Sequence, residues 1–220
     1  NNFKNGADQS CAKHAEGVLM FCIKNNVYIQ KGQLGTFILH SLLLMACCFA
    51  WLPNTHAQPL QVVEKVELDK YLGVWYEVAR KPMYFERKCI YDITATYTLN
   101  ENGNIVVDNK CYDAEGNLQQ SVGEAFIANA PFNSKLRVSF LPEGVRWIPL
   151  GRGDYWIVKL DDDYQTVLVG EPRRKYLWIL SRTAQPEKAQ IHDYLNYAKT
   201  QGYAIDDVIY PQHRSEPKNK

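Results

Sequence analysis

Cysteine and histidine are the side chains best suited to covalent or metal chemistry, and this chain has six of the first and five of the second. Cys11, Cys22, Cys47, Cys48, His14, His40 and His56 fall within the first 57 residues. What remains is Cys89, Cys111, His192 and His213. Cys89 and Cys111 flank a turn at Asn102-Gly103, and pairing of the runs on either side brings Cys89 near 111–116. Two cysteines in an exported domain favour a Cys89–Cys111 disulfide; the alternative is a reactive thiol serving an isomerase-type enzyme. The two histidines lie beyond the last extended run, so they complete no Ser–His–Asp or Cys–His set within the strands. No paired-histidine metal spacing and no phosphate-binding glycine motif is present. The sequence therefore predicts no catalytic residue, no cofactor and no metal.

Composition narrows the classes further. Lys and Arg number 25 against 24 Asp and Glu, so a nucleic-acid partner, which calls for a basic excess, is not expected. Hydrophobic residues make up 46% and aromatics 12%, a globular composition. The first 33 residues are polar and receive no assignment. Residues 34–52 read LGTFILHSLLLMACCFAWL without a formal charge, after Lys24 and Lys31 and before Pro53 and Thr55-His56-Ala57. That order describes a secretory leader at 34–57; a membrane anchor or a buried helix is the competing reading, but His40 and Ser41 interrupt the run. Cleavage after Ala57 is favoured. Leu44-Met45-Ala46-Cys47 also resembles a lipobox, which would lipidate Cys47. Without residues 1–57 the charges stand at 21 positive and 22 negative.

The elements that must position these residues are short. Runs at 73–80, 91–99, 104–111, 119–128, 136–140, 154–160, 166–170 and 176–182 are rich in Val, Ile, Tyr, Trp and Thr. Turn residues separate them, among them Asn102-Gly103, Glu115-Gly116-Asn117 and Glu171-Pro172. Helical periodicity enters at Pro186 and runs to about Gln201, where Gly202 supplies a C-cap and Ile191, Leu195 and Ala198 share a face. A further short strand is expected within 203–210. Eight consecutive strands on tight turns predict an all-β, eight-stranded antiparallel up-and-down barrel with one C-terminal helix packed outside; a sandwich is the alternative. The layout is a linker at 58–65, the barrel and helix at 66–210, and a tail at 211–220.

The run Gly73-Val74-Trp75-Tyr76-Glu77-Val78-Ala79-Arg80 resembles the opening G-x-W motif of the lipocalins. Gly153-Asp154-Tyr155-Trp156-Ile157-Val158 with Leu160-Asp161 resembles their middle motif, and Tyr176-Leu177-Trp178-Ile179-Leu180-Ser181-Arg182 the closing one. With Asp69-Lys70-Tyr71-Leu72, the resemblance is to the bacterial and apolipoprotein D branch and covers 66–210. It implies that Gly73, Trp75 and Arg182 seal one barrel end as a cation–π plug. It places Tyr97 and Asn109 at polar pocket positions and Trp156 at a pocket tryptophan position. It also implies lipid storage or transport in a bacterial envelope, in the periplasm or at the outer membrane of a Gram-negative cell, with a homodimer as an alternative to the monomer.

Strand alternation gives inward faces of Tyr91, Ile93, Ala95, Tyr97 and Leu99; of Ile105, Val107, Asn109 and Cys111; of Leu136, Val138 and Phe140; of Trp156 and Val158; and of Trp178 and Leu180. An apolar cavity with a few polar groups suits a small ligand; a barrel filled by its own side chains is the alternative. Up-and-down order sends loops 80–90, 112–118, 141–153 and 171–175 to one end with net charge +4, and 100–104, 128–135 and 160–165 to the other with net charge −3. The first end would be a basic mouth for an amphipathic lipid at a membrane surface, with Trp147, Arg146, Arg152, Arg173, Arg174 and Lys175 at its rim. Solvated turns are the plainer reading of the same charges. Trp147 is either a lid over the cavity or a membrane contact. A fatty acid or lysophospholipid is the expected ligand, with haem or a siderophore as alternatives; haem calls for an inward histidine and a siderophore for inward cations.

Overall fold

The computed structural model describes residues 58–214. The extension at 1–33, the leader at 34–57, Cys47 and residues 215–220 lie outside the described residues. Eight strands follow in chain order: β1 (Gly73–Arg80), β2 (Tyr91–Leu99), β3 (Ile105–Tyr112), β4 (Leu118–Ile127), β5 (Lys135–Ser139), β6 (Gly153–Leu160), β7 (Thr166–Gly170) and β8 (Leu177–Ser181). Each pairs antiparallel with the next, and β1 pairs with β8, so the sheet closes into a barrel. Closure satisfies the ladder groups that an open sheet would leave at its edges. A short helix, α1 (Leu68–Tyr71), precedes β1, and α2 (Lys188–Thr200) follows β8. The expected barrel is present, with strand ends within a residue of expectation.

Two apolar layers result from the alternation of side chains. The inner one holds Trp75, Tyr97, Val107, Ala125, Leu136, Ile157, Val169 and Leu180 within the barrel. The outer one packs Val78, Val158, Leu168 and Ile179 against Tyr194, Leu195 and Ala198 of α2. The helix thus buries the face read from its periodicity. It ends where Gly202 takes φ +88, a left-handed conformation that costs glycine little. The expected strand after it reduces to a bridge between Ile209 and Arg80.

Three irregularities re-aim side chains. Register shifts fall at Val78 in β1, between Tyr91 and Thr94 in β2, and at Val158 in β6. An extra residue at such a bulge puts two consecutive side chains on one face and reverses the alternation beyond it. In β2 the shift accompanies Asp92 at φ +50.

The segment taken as linker and the described part of the tail, 211–214, touch the barrel. Leu60 joins the outer layer, Val63 donates its amide to Ile157 O at 2.9 Å, and Val66 is fully buried. On the C-terminal side Gln212 bridges Tyr91, and His213 donates Nε2–H to Glu77 O at 2.8 Å. Both segments bury apolar or hydrogen-bonding groups against the barrel wall, which composition alone does not reveal.

Candidate functional site: one sealed end, one open end

The sealed end is built on Trp75. Its indole is fully buried and donates to Tyr71 O at 2.8 Å. The Arg182 guanidinium lies 3.8 Å from the Trp75 ring centroid. It donates to Val74 O at 2.7 Å, Lys70 O at 2.8 Å, Leu72 O at 2.8 Å and Tyr71 O at 3.1 Å. Three of these carbonyls belong to the end of α1, where helix geometry leaves them unpaired. One side chain therefore caps the helix and covers the plug. A Cβ on Gly73, which sits at φ +96, would lie 3.4 Å from Arg182 Nη1.

Above the plug stands a chain of phenols. Tyr155 Oη lies 2.7 Å from Tyr71 Oη and 3.0 Å from Tyr97 Oη. Burial pushes all three phenols above their ordinary range, so each is a neutral hydroxyl at physiological pH. The lower barrel is thus filled by aromatic rings, and Tyr97 belongs to that filling.

Nearer the open end the wall changes character. Asn109 follows the parity of Ile105 and Val107, and its Oδ1 is buried without a hydrogen-bond partner. Ser121 pairs with it from β4, and Gly123 pairs with Val107. Leu136, level with Tyr155, is buried, and Val138 above it is half-buried. Phe140 is 47% exposed just beyond β5, and a Cβ on Gly123 would lie 2.7 Å from its ring. Trp178 points inward against Tyr155, with ring centroids 6.4 Å apart.

Three inward assignments are corrected. Trp156 packs in the outer layer and lies under Lys135 Nζ, 4.2 Å from its ring centroid. The β6 residues that enter the barrel are Ile157 and Tyr155, the latter pairing with Leu136. Val158 is likewise outside. Both parities of this strand are apolar, so alternation alone cannot choose between them. Tyr91 also lies outside, stacked on Tyr112 at 5.6 Å beneath Arg214, because the shift at Asp92 turns it out.

The structure also brings together a polar cluster that alternation conceals. The extra residue at Val78 turns Arg80 into the barrel, opposite Trp178. Arg80 Nη1 lies 3.3 Å from Glu77 Oε1, and its Nε lies 3.5 Å from Glu86 Oε2. Nη2 donates to Cys89 O at 3.3 Å and Glu86 O at 3.4 Å. Trp178 Nε1 donates to Glu86 Oε1 at 3.2 Å. Burial raises both carboxyls above the usual carboxylate range, Glu77 strongly, with Glu86 adding to the effect.

Cys89 and Cys111 form a disulfide with Cα atoms 5.4 Å apart, tying segment 81–90 to β3. Neither sulfur is then a thiolate nucleophile, which removes the reading of these cysteines as catalytic thiols. His192 is exposed on α2 beside Asn196, and His213 lies outside against Tyr76. Among the described residues no group of three His, Cys, Asp or Glu side chains could hold a metal.

The rim carries less free charge than its sequence suggests. Arg146 donates to Leu141 O at 2.7 Å and Val122 O at 2.6 Å, and Arg152 donates to Arg146 O and Trp147 O at 3.0 Å each. Arg174 holds Gln201 O and Gln58 O, outside the barrel. These three arginines fasten backbone. Arg173 and Lys175 are exposed. Trp147 is 72% exposed and Leu150 83%, so Trp147 is not folded in as a lid. Tyr84 and Phe85, on the 3-10 turn before Glu86, are exposed as well.

Comparison with known proteins agrees with this architecture. The family model described as Lipocalin-like domain matches residues 66–213. Temperature-induced lipocalin-1 of Arabidopsis thaliana is 38% identical over 168 residues, covering 75% of this chain and 89% of the relative. Outer membrane lipoprotein Blc of Escherichia coli is 35% identical over 173 residues, covering 78% and 91%. Bovine apolipoprotein D is 35% identical over 128 residues, covering 55% and 63%. Insecticyanin from the tobacco hornworm Manduca sexta superposes with a TM-score of 0.56 at 21% identity, covering 73% of this chain and 87% of that one.

Proposed function

The chain belongs to the lipocalin family, and from that premise we propose that it is a non-enzymatic carrier of a single-chain amphipathic lipid, a fatty acid or lysophospholipid. The observation that carries this reading is the asymmetry of the barrel. One end is closed by Trp75 and Arg182, whereas toward the other Phe140 is exposed and Trp178 half-buried, beside an inner wall of apolar residues with Asn109 and the Arg80 cluster as its polar groups. Such a site takes an apolar tail and fixes it by a few polar contacts. Val138, Phe140, Asn109 and Trp178 are the proposed contacts, with Leu136 and Tyr97 nearer the floor. A haem reading is not favoured, because both described histidines lie outside the barrel. A siderophore reading gains the inward Arg80, but Glu86 already pairs with it.

The open end supports delivery at a membrane surface. Tyr84, Phe85, Trp147 and Leu150 project there, and large aromatic side chains favour the boundary between lipid and water. Arg173 and Lys175 add exposed positive charge near anionic lipid. The leader-like segment and the disulfide support work outside the cytosol. The relatives named as outer membrane lipoproteins support an envelope role in a Gram-negative cell, with lipidation at Cys47 as one means of attachment. Titration with a fluorescent fatty acid tests the carrier reading. It predicts saturable uptake of one molecule per chain, displaced by unlabelled oleate.

A further inference from the structure

We infer that Glu86 is a resident stand-in for the ligand's own head group: its carboxylate occupies an anchor made by Arg80 Nε and Trp178 Nε1, which the carboxylate of a fatty acid takes over when Glu86 swings out to the mouth. The inference rests on the carrier reading above and names the head group it would hold. Three observations lead to it. The first is the donor geometry. Arg80 Nε and Trp178 Nε1 meet one planar carboxylate, at 3.5 Å from Oε2 and 3.2 Å from Oε1, which is the pattern a second carboxylate would need.

The second is that the two sides of the contact differ in mobility. Arg80 is fixed: its side chain is 5% exposed, its own strand is paired on both edges, and its Nη2 is held by the carbonyls of Glu86 and Cys89. The Glu86 side chain comes from a single 3-10 turn at the mouth, is 16% exposed, and its Oε2 has no full hydrogen bond. Rotation about its side-chain bonds carries it toward solvent without moving the backbone carbonyl that holds Arg80.

The third is charge. Glu77, Glu86 and Arg80 would carry a net negative charge if both acids were ionised, and a buried uncompensated charge is costly. Burial favours the protonated form of Glu77, which leaves the Glu86 carboxylate as the partner that balances Arg80. A fatty-acid carboxylate entering as Glu86 leaves keeps that balance, so the exchange strands no charge inside. A second carboxylate added beside Glu86 would not satisfy that condition. A neutral lipid has no reason to displace Glu86.

The test compares oleate with oleyl alcohol, which shares its chain, on the disulfide-intact wild type and on Glu86→Gln. An amide competes less well for Arg80 than a carboxylate, so Glu86→Gln should bind oleate about tenfold more tightly, a change near one decade in Kd. Oleyl alcohol should be unchanged. In the wild type, carbon-13 spectra of labelled glutamates should show the Glu86 carboxyl returning to the ordinary carboxylate range when oleate is added. A gain for oleate with the Glu86 signal unmoved would mean that Glu86 acts only through its field, and equal gains for both lipids would make it a steric plug; either overturns the exchange. Normal binding of both lipids with no change in Glu86→Gln would overturn the anchor while leaving the carrier reading intact. Failure of both lipids to bind either protein would remove both.

Discussion

Arg80 and Trp178 stand opposite each other across the seam where β1 meets β8, and both reach Glu86. They meet because Val78 adds a residue to β1. Without it the alternation that turns Trp75 and Glu77 inward would turn Arg80 out. The seam that closes the barrel therefore also delivers its buried cation.

Glu77 beside that cation makes stability depend on pH. Burial lifts its folded-state value well above the ordinary one, so the folded chain keeps a proton that the unfolded chain loses above about pH 4.3. Stability from this group is full below that value and falls as pH rises through the lifted one. Glu77→Gln keeps the shape and removes the titration. Urea unfolding from pH 4 to pH 8 should give the variant a flatter decline than the wild type; parallel curves would contradict the assignment.

The sealed end is a folding device. Trp75→Ala should cost about 3–5 kcal/mol, as removal of a fully buried tryptophan does. Arg182→Ala should also destabilise, because it uncaps Lys70, Tyr71 and Leu72 carbonyls. Denaturant midpoints should fall in both, while the order of preference among lipids stays the same.

The disulfide closes a separation of 22 residues, for which loop entropy gives about 3 kcal/mol. Alkylation of native protein should label neither Cys89 nor Cys111 until reductant is added. The Cys89→Ser, Cys111→Ser double variant should melt lower and open segment 81–90 to proteolysis.

Tyr155 and Trp156 separate inside from outside within one dipeptide. Trp156→Ala should lower stability and leave lipid affinity within about twofold, since its ring rests under Lys135 on the outer wall. Tyr155→Phe breaks both phenol contacts at the barrel floor and should alter affinity more than Trp156→Ala does. Isothermal titration of both variants checks the pair, and the reverse order would return Trp156 to the cavity.

The fold was legible because its signals are local. Turn residues such as Asn102-Gly103 and β-rich runs mark eight strands, and Gly202 ends the helix. The plug was legible because Trp75 and Arg182 sit in motifs. The wall was legible only where one parity is apolar, as with Ile105, Val107 and Leu136. It failed at Trp156, where both parities are apolar, and at Tyr91, where Asp92 interrupts the count. Glu77, Arg80 and Glu86 stayed hidden for related reasons. A charged residue reads as solvent-facing, and nothing in Glu77-Val78-Ala79-Arg80 announces an extra residue in the strand. A buried cluster of this kind is found from the register, not from composition.

Native mass spectrometry of the disulfide-intact chain, purified from cells without added lipid and then titrated with oleate, tests the carrier reading most directly. The account predicts one single-chain lipid per barrel, present on isolation or taken up to saturation at one equivalent, and lost on unfolding. A chain that emerges bare and stays bare as oleate is added, while its far-ultraviolet spectrum shows an intact barrel, would contradict it.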